Sequence, residues 1–538
     1  MSVFLCSSDD GLNGREAAAW VPVASNAACP PRYRVLPNLA KRLEQAFTES
    51  RDIWWQLARE LQATPSVHLA HAVSCNPGPS DLGTMLAWSR LVDQLAADRQ
   101  NYIVRCDDPW LFRHLATRPG VTGDSAPPLL GRRLRLLARG YFSRIGVAAA
   151  ACREHLRHRA GKARMPAGRA AIVVYGHPRS DADGGDAYFA DLMARIPDVV
   201  RLLHTDCRGP LGTELAAHRR TVSLHAWGRL RSVAALPFAR WRPSPRERSS
   251  TYGWLVRRAA DLEAATGTGA QLSWQAACQS RWLSETRPRA VAWPWENHTW
   301  ERSLVSAARQ VGAATFGYQH TVVGHHMYNL SPAALVDGEQ DLPDRIIANG
   351  PLFVDDMERL GVPKGRIQMG GALRFTIGTH GADNYDPDGA VYVVLPSARS
   401  VADEIVDAVA ETAARRRELQ FLVKDHPMYP YPLRETANLK RTPLGFAELP
   451  KIATAVYAAS TVGLEAVLAG IPTVRFVPAK SIAMDILPSG IDVCEAAAAD
   501  LAAVLPLQSV PGRSRRNDVF SAPDWRLWQE ILGDGVTA

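Results

Sequence analysis

Short apolar runs alternate with amphipathic stretches along most of the chain after residue 169. This alternation is typical of α/β proteins, in which buried parallel strands are joined by helices. The pattern predicts strands over residues 171–175, 199–204, 290–293, 314–318, 345–348, 391–395, 420–424, 455–457 and 473–476. It predicts helices over residues 300–310, 351–360, 401–416 and 463–469. The sequence therefore predicts an α/β fold built on parallel sheets.

The pattern is less regular before residue 169. Residues 102–105 and 107–115 predict one more strand and the helix that follows it, and the rest of 1–130 is predicted only as helical or α/β packing. Residues 525–532 predict a last helix whose apolar side packs against the rest of the chain, with a return across the interdomain cleft as one option.

A polar break at residues 378–389, rich in glycine and acids, separates two series of strands and helices. Such composition is typical of an interdomain linker. We therefore predict an amino-terminal α/β domain over 1–380, with a basic helical insertion near 129–169, and a carboxy-terminal α/β domain over 390–538.

Length and composition agree with two or three packed domains: the chain has 538 residues, of which 46% are hydrophobic and 22% charged. No apolar stretch approaches the roughly 18 residues of a membrane-spanning helix. The first residues do not resemble a signal peptide, and the eight cysteines form no Cys-x-x-Cys pair. We expect a cytoplasmic protein with reduced thiols.

The net charge of +8 is concentrated in residues 131–169, where eleven Arg and Lys face a single acid, Glu154. Leu134, Tyr141 and Phe142 interleave with these cations, which predicts a basic amphipathic helix on anionic lipid or on a charged partner. The alternative is an ordinary solvated, arginine-rich element. Since no nucleic-acid-binding module accompanies the charge, we expect no nucleic acid partner.

Residues 421–427 (FLVKDHP) read as a buried strand that ends abruptly in His-Pro. Ligands of open α/β sheets bind at the carboxyl ends of the strands, so His426 is expected to meet a ligand, with Lys424 beside it. Pro427 biases His426 away from helical geometry and fixes the loop. A purely structural histidine is the alternative.

Residues 455–474 read as a strand, a hydroxyl pair and a helix. Ser460 and Thr461 fall at the turn into the helix, where free backbone N–H groups favour an anion. Ser460 as a simple N-cap is the alternative. Because His426 and this hydroxyl pair follow strands of the same domain, we predict that they form one phosphate pocket.

These two segments resemble the His-Pro and Ser/Thr motifs shared by bacterial sialyltransferases, polysialyltransferases and Kdo transferases of the GT-B fold. The resemblance implies two Rossmann-like domains facing across a cleft, with His426, Ser460 and Thr461 holding the CMP of a CMP-nonulosonate donor. Residues 463–474 are also similar to the donor half of GT-B transferases generally, including CDP-glycerol-using wall polymerases. That similarity implies a ribose contact for Glu465, with a solvated helix residue as the alternative.

A third segment, 293–301 (WPWENHTWE), resembles an E-N-x-x-W-E pattern of surface-carbohydrate transferases that include pseudaminic acid transferase relatives. The chain has His298 and Thr299 where those proteins often have Gln-Pro. The resemblance continues through residues 317–320, 346–351 and 370–374, and it is weak before residue 170.

Glycosyl transfer by displacement requires a base for the proton of the acceptor hydroxyl. Glu296 is the first candidate, and we expect Trp293 and Trp295 to raise its pKa. Glu301 is a second candidate, or else a first-turn acid that complements the helix dipole. The rival is Asp186, or Asp183, in the glycine- and acid-rich loop 176–186.

The sequence thus predicts a glycosyltransferase that moves an acidic sugar of the Kdo, sialic or pseudaminic/legionaminic type from a CMP-activated donor to a bacterial surface glycan. The expected partners are the CMP-sugar, a glycan or lipid-linked acceptor and, through residues 131–169, the inner membrane. We expect no metal and no cofactor, since a CMP-sugar carries a single phosphate. The alternatives are a CDP-glycerol- or UDP-sugar-using GT-B transferase and a non-catalytic scaffold of polysaccharide assembly.

Overall fold

The computed structural model describes residues 3–12, 14–25, 27–62, 64–98, 100–204, 209–374, 385–426, 429–449, 451–479, 481–484, 486–507 and 519–533. The strands are β1 Val3–Cys6, β2 Ala19–Val23, β3 Tyr102–Cys106, β4 Val121–Gly123, β5 Ala171–Val174, β6 Val200–Leu203, β7 Thr221–Ser223, β8 Ala290–Pro294, β9 Ala314–Tyr318, β10 Arg345–Ala348, β11 Ile367–Met369, β12 Tyr385–Val394, β13 Phe421–Lys424, β14 Leu439–Arg441, β15 Ile452–Tyr457, β16 Thr473–Phe476 and β17 Cys494–Ala496.

The helices are α1 Leu39–Glu49, α2 Arg51–Gln62, α3 Leu82–Ala97, α4 Pro109–Leu115, α5 Leu130–His158, α6 Leu192–Arg195, α7 Gly209–Leu215, α8 Leu230–Val233, α9 Pro245–Arg248, α10 Gly253–Glu263, α11 Thr268–Thr286, α12 Thr299–Gln310, α13 Pro351–Arg359, α14 Arg399–Arg415, α15 Thr461–Leu468, α16 Leu501–Val504 and α17 Trp525–Leu532. Short 3-10 turns that bear on the argument are Ala72–Ser74, Arg159–Arg164, Leu224–Trp227 and Leu236–Phe238. Within the described ranges, no helix is long and apolar enough to cross a membrane.

Three sheets organise the molecule, and every pairing between their named strands is parallel. The first has the order β2-β3-β1-β4, the second β11-β10-β9-β8-β5-β6-β7, and the third β14-β13-β12-β15-β16-β17. Parallel sheets need crossover helices, which cover both faces and explain the continuous apolar strands. The predicted α/β class is confirmed, with the second and third sheets as two Rossmann-like units.

The second and third sheets contain all nine strands predicted after residue 169, and β9, β10 and β16 have the predicted bounds. The first sheet lies within residues 3–123, where only β3 and α4 had been predicted. The region predicted as one amino-terminal domain thus contains two sheets.

Helix α5 connects the first sheet to the second and occupies the range of the predicted basic insertion. Its Arg133 pairs with Asp261 of α10 at 2.7 Å, and its buried Arg144 donates to the carbonyl of Ala264 at 2.6 Å. Arg133 and Arg144 therefore anchor one face of α5 inside the protein. The charge pattern alone had assigned these cations to an external partner.

The polar break predicted at 378–389 falls partly outside the described residues, which resume at Tyr385. Residues 385–389 belong to β12 rather than to a linker. The chain ends by returning from the third sheet to the second: Trp528 of α17 is fully buried and its indole N–H donates to the carbonyl of Gly370 at 3.0 Å. The predicted return of the last helix across the cleft is confirmed.

Candidate functional site

The register of the second sheet brings Glu296 next to His320. Pro294 at the end of β8 is paired with Tyr318 at the end of β9, and the Trp295 N–H extends that pairing by donating to the Tyr318 carbonyl at 2.7 Å. Glu296 and His320 each follow their paired residue by two positions. Two side chains separated by 24 residues therefore meet at the carboxyl edge of the sheet, where α/β proteins bind ligands.

Gly317 makes room for the indole that precedes Glu296. A Cβ atom at Gly317 would lie 2.8 Å from Cγ of Trp295, a distance that no side chain tolerates. Trp295 is 1% exposed, so the bulk of the ring fills the space over β9. The small residue in strand β9 is thus a packing requirement of the loop that carries Glu296.

Glu301 organises the loop between β8 and α12. Its carboxylate accepts the backbone N–H groups of Asn297 at 2.9 Å, His298 at 3.1 Å and Glu296 at 3.1 Å. It also accepts the indole N–H of Trp293 at 2.9 Å. Burial raises the pKa of Glu301 to about 7. These contacts make Glu301 the first-turn acid of the structural alternative, which binds back to the N–H of the N-cap residue His298 and to the loop before it.

A reciprocal pair of amides fixes the other side of the loop. Asn297, buried and in the left-handed region with φ of 54°, donates its amide N–H to the Asn329 carbonyl at 2.6 Å. Asn329 donates in return to the Glu296 carbonyl at 2.5 Å. The backbone of Glu296 is therefore held from both sides, which sets the direction of its side chain.

The Glu296 carboxylate lies between two histidines. Its Oε2 atom is 2.7 Å from Nε2 of His298, and its Oε1 atom is 3.7 Å from Nε2 of His320. The side chain remains 33% exposed, so one part of the carboxylate is open to a substrate.

The pKa of Glu296 is shifted in the direction opposite to the one expected from its aromatic neighbours. Burial acts to raise the pKa of Glu296, but the hydrogen bond and charge of His298, together with His320 and Arg374, lower it to about 2. Burial in turn opposes a charge on His298, yet Glu296 raises the pKa of this histidine. The expectation that Trp293 and Trp295 raise the pKa of Glu296 was wrong, and the site holds an ionised carboxylate 2.7 Å from the ring nitrogen of His298.

The first sheet contributes a loop to this site that the sequence did not indicate. Asn76 places its amide nitrogen 3.5 Å from Nδ1 of His298, and the ring of His71 makes an edge contact with His298 at 6.4 Å. Thr299 donates its hydroxyl to the Ala70 carbonyl at 2.9 Å. The loop following α2 therefore closes one side of the Glu296 site.

Tyr188 and Arg374 form the opposite wall. The Tyr188 ring makes an edge contact with His320 at 5.2 Å, and the guanidinium of Arg374 lies over the Tyr188 ring at 5.8 Å. Arg374 acts on the carboxylates of both Glu296 and Glu465. Arg374 thus adds positive charge near both carboxylates.

In the third sheet, β13 and β15 both pair with β12, so their carboxyl ends lie at one edge with a single strand between them. His426 follows β13, with its ring 5.3 Å from that of Tyr429, and burial lowers its pKa. Lys424 directs its amino group to the carbonyl of Pro443. Pro427 lies outside the described residues.

Ser460 and Thr461 fall where the sequence placed them, at the start of α15. Ser460 is the N-cap, and its hydroxyl accepts the Val462 N–H at 3.4 Å. Gly463 allows the helix to approach β15, because a Cβ there would lie 2.5 Å from the Tyr457 ring. The same hydroxyl retains a proton to donate and a second lone pair, so capping leaves it able to bind an anion.

Glu465 lies four residues after Thr461, on the same face of α15. Its charge acts on Arg374 of the second-sheet unit and on Tyr392 of β12. The charge of Glu465 in the third-sheet unit is therefore felt by Arg374, which follows β11 of the second sheet.

Asp186, the rival base, is 6% exposed. One of its oxygens accepts the N–H groups of Tyr188 at 2.9 Å and Phe189 at 3.2 Å, and the other lies 3.6 Å from the buried Arg201. Burial raises its pKa. Asp183, on the same loop, is exposed. Asp186 is thus built into the folding of the loop that carries Tyr188.

Sequence reasoning placed Glu296, His426 and Ser460 at strand and helix ends and Glu301 as a possible first-turn acid, where the structure has them. It missed the side chains that surround Glu296: Asn76 after α2, Tyr188 in loop 181–190, Asn329 between β9 and β10, and Arg374 after β11. The repeated pattern of a polar residue two positions after a strand end, as at His320, was the available signal.

Several solved structures are similar to parts of the chain at low sequence identity. The glycotransferase of kitacinnamycin is 14% identical, with a TM-score of 0.34 over 68% of this chain and 94% of that one. Anabaena HepE in complex with UDP-glucose is 12% identical, with a TM-score of 0.34 over 62% and 88%. The Neisseria meningitidis UDP-GlcNAc 2-epimerase bound to UDP-GlcNAc is 11% identical, with a TM-score of 0.32 over 57% and 82%. The chain matches no protein-family model and no curated protein.

Proposed function

We propose that the chain is a glycosyltransferase of the GT-B type that uses a CMP-activated acidic sugar, of the Kdo, sialic or pseudaminic/legionaminic type. The acceptor is a bacterial surface glycan or its lipid-linked precursor. The observation that carries the proposal is the position of Glu296: an ionised carboxylate at the carboxyl edge of the second sheet, on a side chain that is 33% exposed.

In the proposed reaction the acceptor hydroxyl attacks the anomeric carbon of the donor, and the bond from that carbon to the phosphate oxygen breaks. The electrons of that bond leave with CMP, and Glu296 takes the hydroxyl proton. A carboxylate with a pKa of about 2 is a weak base in the ground state. The Glu296 carboxylate first accepts a hydrogen bond from the acceptor hydroxyl. It takes the proton as formation of the new glycosidic bond makes that proton acidic.

His298 and His320 have supporting roles in this scheme. His298 is hydrogen bonded to Glu296 at 2.7 Å and holds the carboxylate in one rotamer. Burial lowers the pKa of His320 to about 4, so His320 is neutral at pH 7 and adds little positive charge to the site. The loop behind Glu296 is fixed, so the base is in position before the acceptor binds. This positioning is the main contribution of such a site to the rate.

The donor would bind along the carboxyl edge of the third sheet. His426 and Ser460 flank β12 and would contact the phosphate, Thr461 would add a second hydroxyl, and Glu465 would meet the ribose. Lys424 already binds a backbone carbonyl, so its contribution to phosphate binding requires a rearrangement of its side chain. Arg374, which bridges the charges of Glu296 and Glu465, is well placed to meet the carboxylate of an acidic sugar.

The test is the release of CMP from a panel of CMP-nonulosonates in the presence of glycan acceptors, with UDP-sugars and CDP-glycerol as competing donors. We expect CMP release with at least one acidic sugar and a loss of about 10²-fold to 10³-fold in His426→Ala, by analogy with the removal of one oxyanion-binding donor. Lys364→Ala is the control, because Lys364 is an exposed cation just before β11, at the opposite edge of the second sheet from Glu296, and this change should keep full turnover.

If only UDP-sugars or CDP-glycerol support turnover, the donor is one of these alternatives and not a CMP-sugar. Absence of turnover with every donor, in a protein that binds nucleotide, would favour the non-catalytic scaffold. Full turnover in a folded His426→Ala protein would contradict the phosphate role of this histidine.

A further inference from the structure

Helix α5 exposes large apolar side chains to solvent along its length. Phe142 is 70% exposed, Leu134 59%, Ile145 40% and Tyr141 39%. Exposure of isolated apolar residues is normal, but a contiguous row of them indicates an interaction surface.

These residues share one face of the helix. Tyr141 follows Leu134 by seven positions and Ile145 follows Tyr141 by four, a spacing that keeps side chains on one side of an α-helix. The internally packed face is a different one, occupied by Gly140, Arg144 and residues further along α5. Helix α5 therefore has one face packed inside the protein and a second, apolar face that the core does not use.

A neighbouring turn widens the exposed face. Phe238, in the 3-10 turn Leu236–Phe238 that packs beside α5, is 61% exposed, and its ring lies 6.0 Å from that of Tyr141. We call Leu134, Tyr141, Phe142, Ile145 and Phe238 the apolar strip.

Arginines border the apolar strip. The charge of residues 131–169 divides into two groups, because Arg133 and Arg144 are engaged inside the protein. Arg135 and Arg139 are exposed and follow each other by four positions on the edge of the strip. The strip thus has exposed cations along one edge.

We propose that the apolar strip docks the protein on an anionic lipid bilayer. Helix α5 would lie in the plane of the interface, with Phe142 and Phe238 among the lipid chains and the bordering arginines at the phosphate groups. A second copy of the chain is a poor occupant, because a two-fold contact would place the arginine rows of the two copies against each other. The inference is independent of the donor and of the chemistry proposed above.

The experiment is sedimentation of the full chain with phosphatidylcholine vesicles containing phosphatidylglycerol, at about 50 mM salt, where the Debye length is long. We expect the wild-type protein to bind and to be released as salt rises. The double variant Phe142→Ser/Phe238→Ser keeps every charge and should partition at least tenfold more weakly. The double variant Arg135→Gln/Arg139→Gln should bind more weakly and with a flatter salt dependence.

Val336→Ser is the matched control, since Val336 is 51% exposed at another place on the surface and its change should leave binding as in the wild type. Thermal unfolding of each variant checks the fold. The inference is overturned if the wild type does not sediment with these vesicles, or if Phe142→Ser/Phe238→Ser binds them as well as the wild type. It is also overturned if the serine variant still binds vesicles but loses self-association in ultracentrifugation or binding to an acidic protein.

Discussion

The carboxylate of Glu296 is ionised over the whole neutral range, because its pKa lies far below the usual value, at about 2. The change Glu296→Gln preserves the shape of the side chain and removes the proton acceptor. We expect the rate of transfer to fall by about 10² to 10⁴, the usual contribution of a general base. CMP affinity should hardly change, and the loss should be constant between about pH 5 and pH 8, where the wild-type carboxylate does not titrate. Steady-state kinetics over that pH range, with CMP binding by calorimetry, measure both effects.

Asp186→Asn is the internal comparison. The buried Asp186 carboxylate accepts two backbone N–H groups and faces Arg201, so its amide should lower stability more than it lowers the rate per folded molecule. If Glu296→Gln retains near-normal turnover and folded Asp186→Asn loses it, the base belongs to the loop of Asp186.

For single residues, the sequence was sufficient to place Glu296 at a strand end but not to predict the direction of its pKa shift. The neighbouring tryptophans are visible in the sequence, and they suggested a raised pKa. The decisive group, His298, adds a hydrogen bond that depends on the conformation of the loop, and His320 is brought near by the pairing of β8 with β9. Neither geometry can be read from residue types alone.

The start of helix α12 depends on Glu301, whose carboxylate accepts three backbone N–H groups and one indole N–H. Glu301→Ala leaves these buried donors without a partner. Each such donor costs about 1–3 kcal/mol, and partial relaxation or entry of water offsets some of the sum, so we expect a loss of about 3 kcal/mol in the free energy of unfolding. Glu301→Gln retains one acceptor oxygen and should lose about half as much. Urea denaturation followed by circular dichroism measures the difference.

Glu60→Ala, at an exposed glutamate of α2, is the matched control and should change stability by less than about 0.5 kcal/mol. A Glu301→Ala protein as stable as Glu60→Ala would show that the loop does not depend on this carboxylate, and Glu301 would return to the list of candidate catalytic residues.

After residue 169, the strands of four or more residues were predictable, and the strands of three residues were not. Strands β9, β10 and β16 and helix α17 have the predicted bounds. Strands β4, β7, β11, β14 and β17 have three residues each, too few for a pattern to develop. They lie at the edges of their sheets, where pairing with a longer neighbour rather than their own composition makes them strands.

For the whole molecule, the sequence indicated two Rossmann-like units and missed the first sheet. Strands β2 and β3 are separated by the long helical region of α1 to α3, and no α-helix lies between β1 and β2 in the described part of the chain, so the simple alternation of strand and helix is absent there. This first sheet matters for the site, because its loop at Asn76 closes one side of the Glu296 loop. It also contacts the third-sheet unit, since Glu44 of α1 pairs with the buried Arg475 of β16 at 3.3 Å. Long-range pairings of this kind leave no local pattern in the sequence.

The central claim is that the cleft between the second and third sheets binds the nucleotide of the donor. A crystal structure of the chain with CMP tests it most directly. We predict that the phosphate lies at the carboxyl edge of the third sheet, within hydrogen-bonding distance of His426 and Ser460, with the ribose on the side of Glu465 and open space toward Glu296. CMP bound at any other edge or face of the protein, with His426 and Ser460 out of contact, would contradict the account.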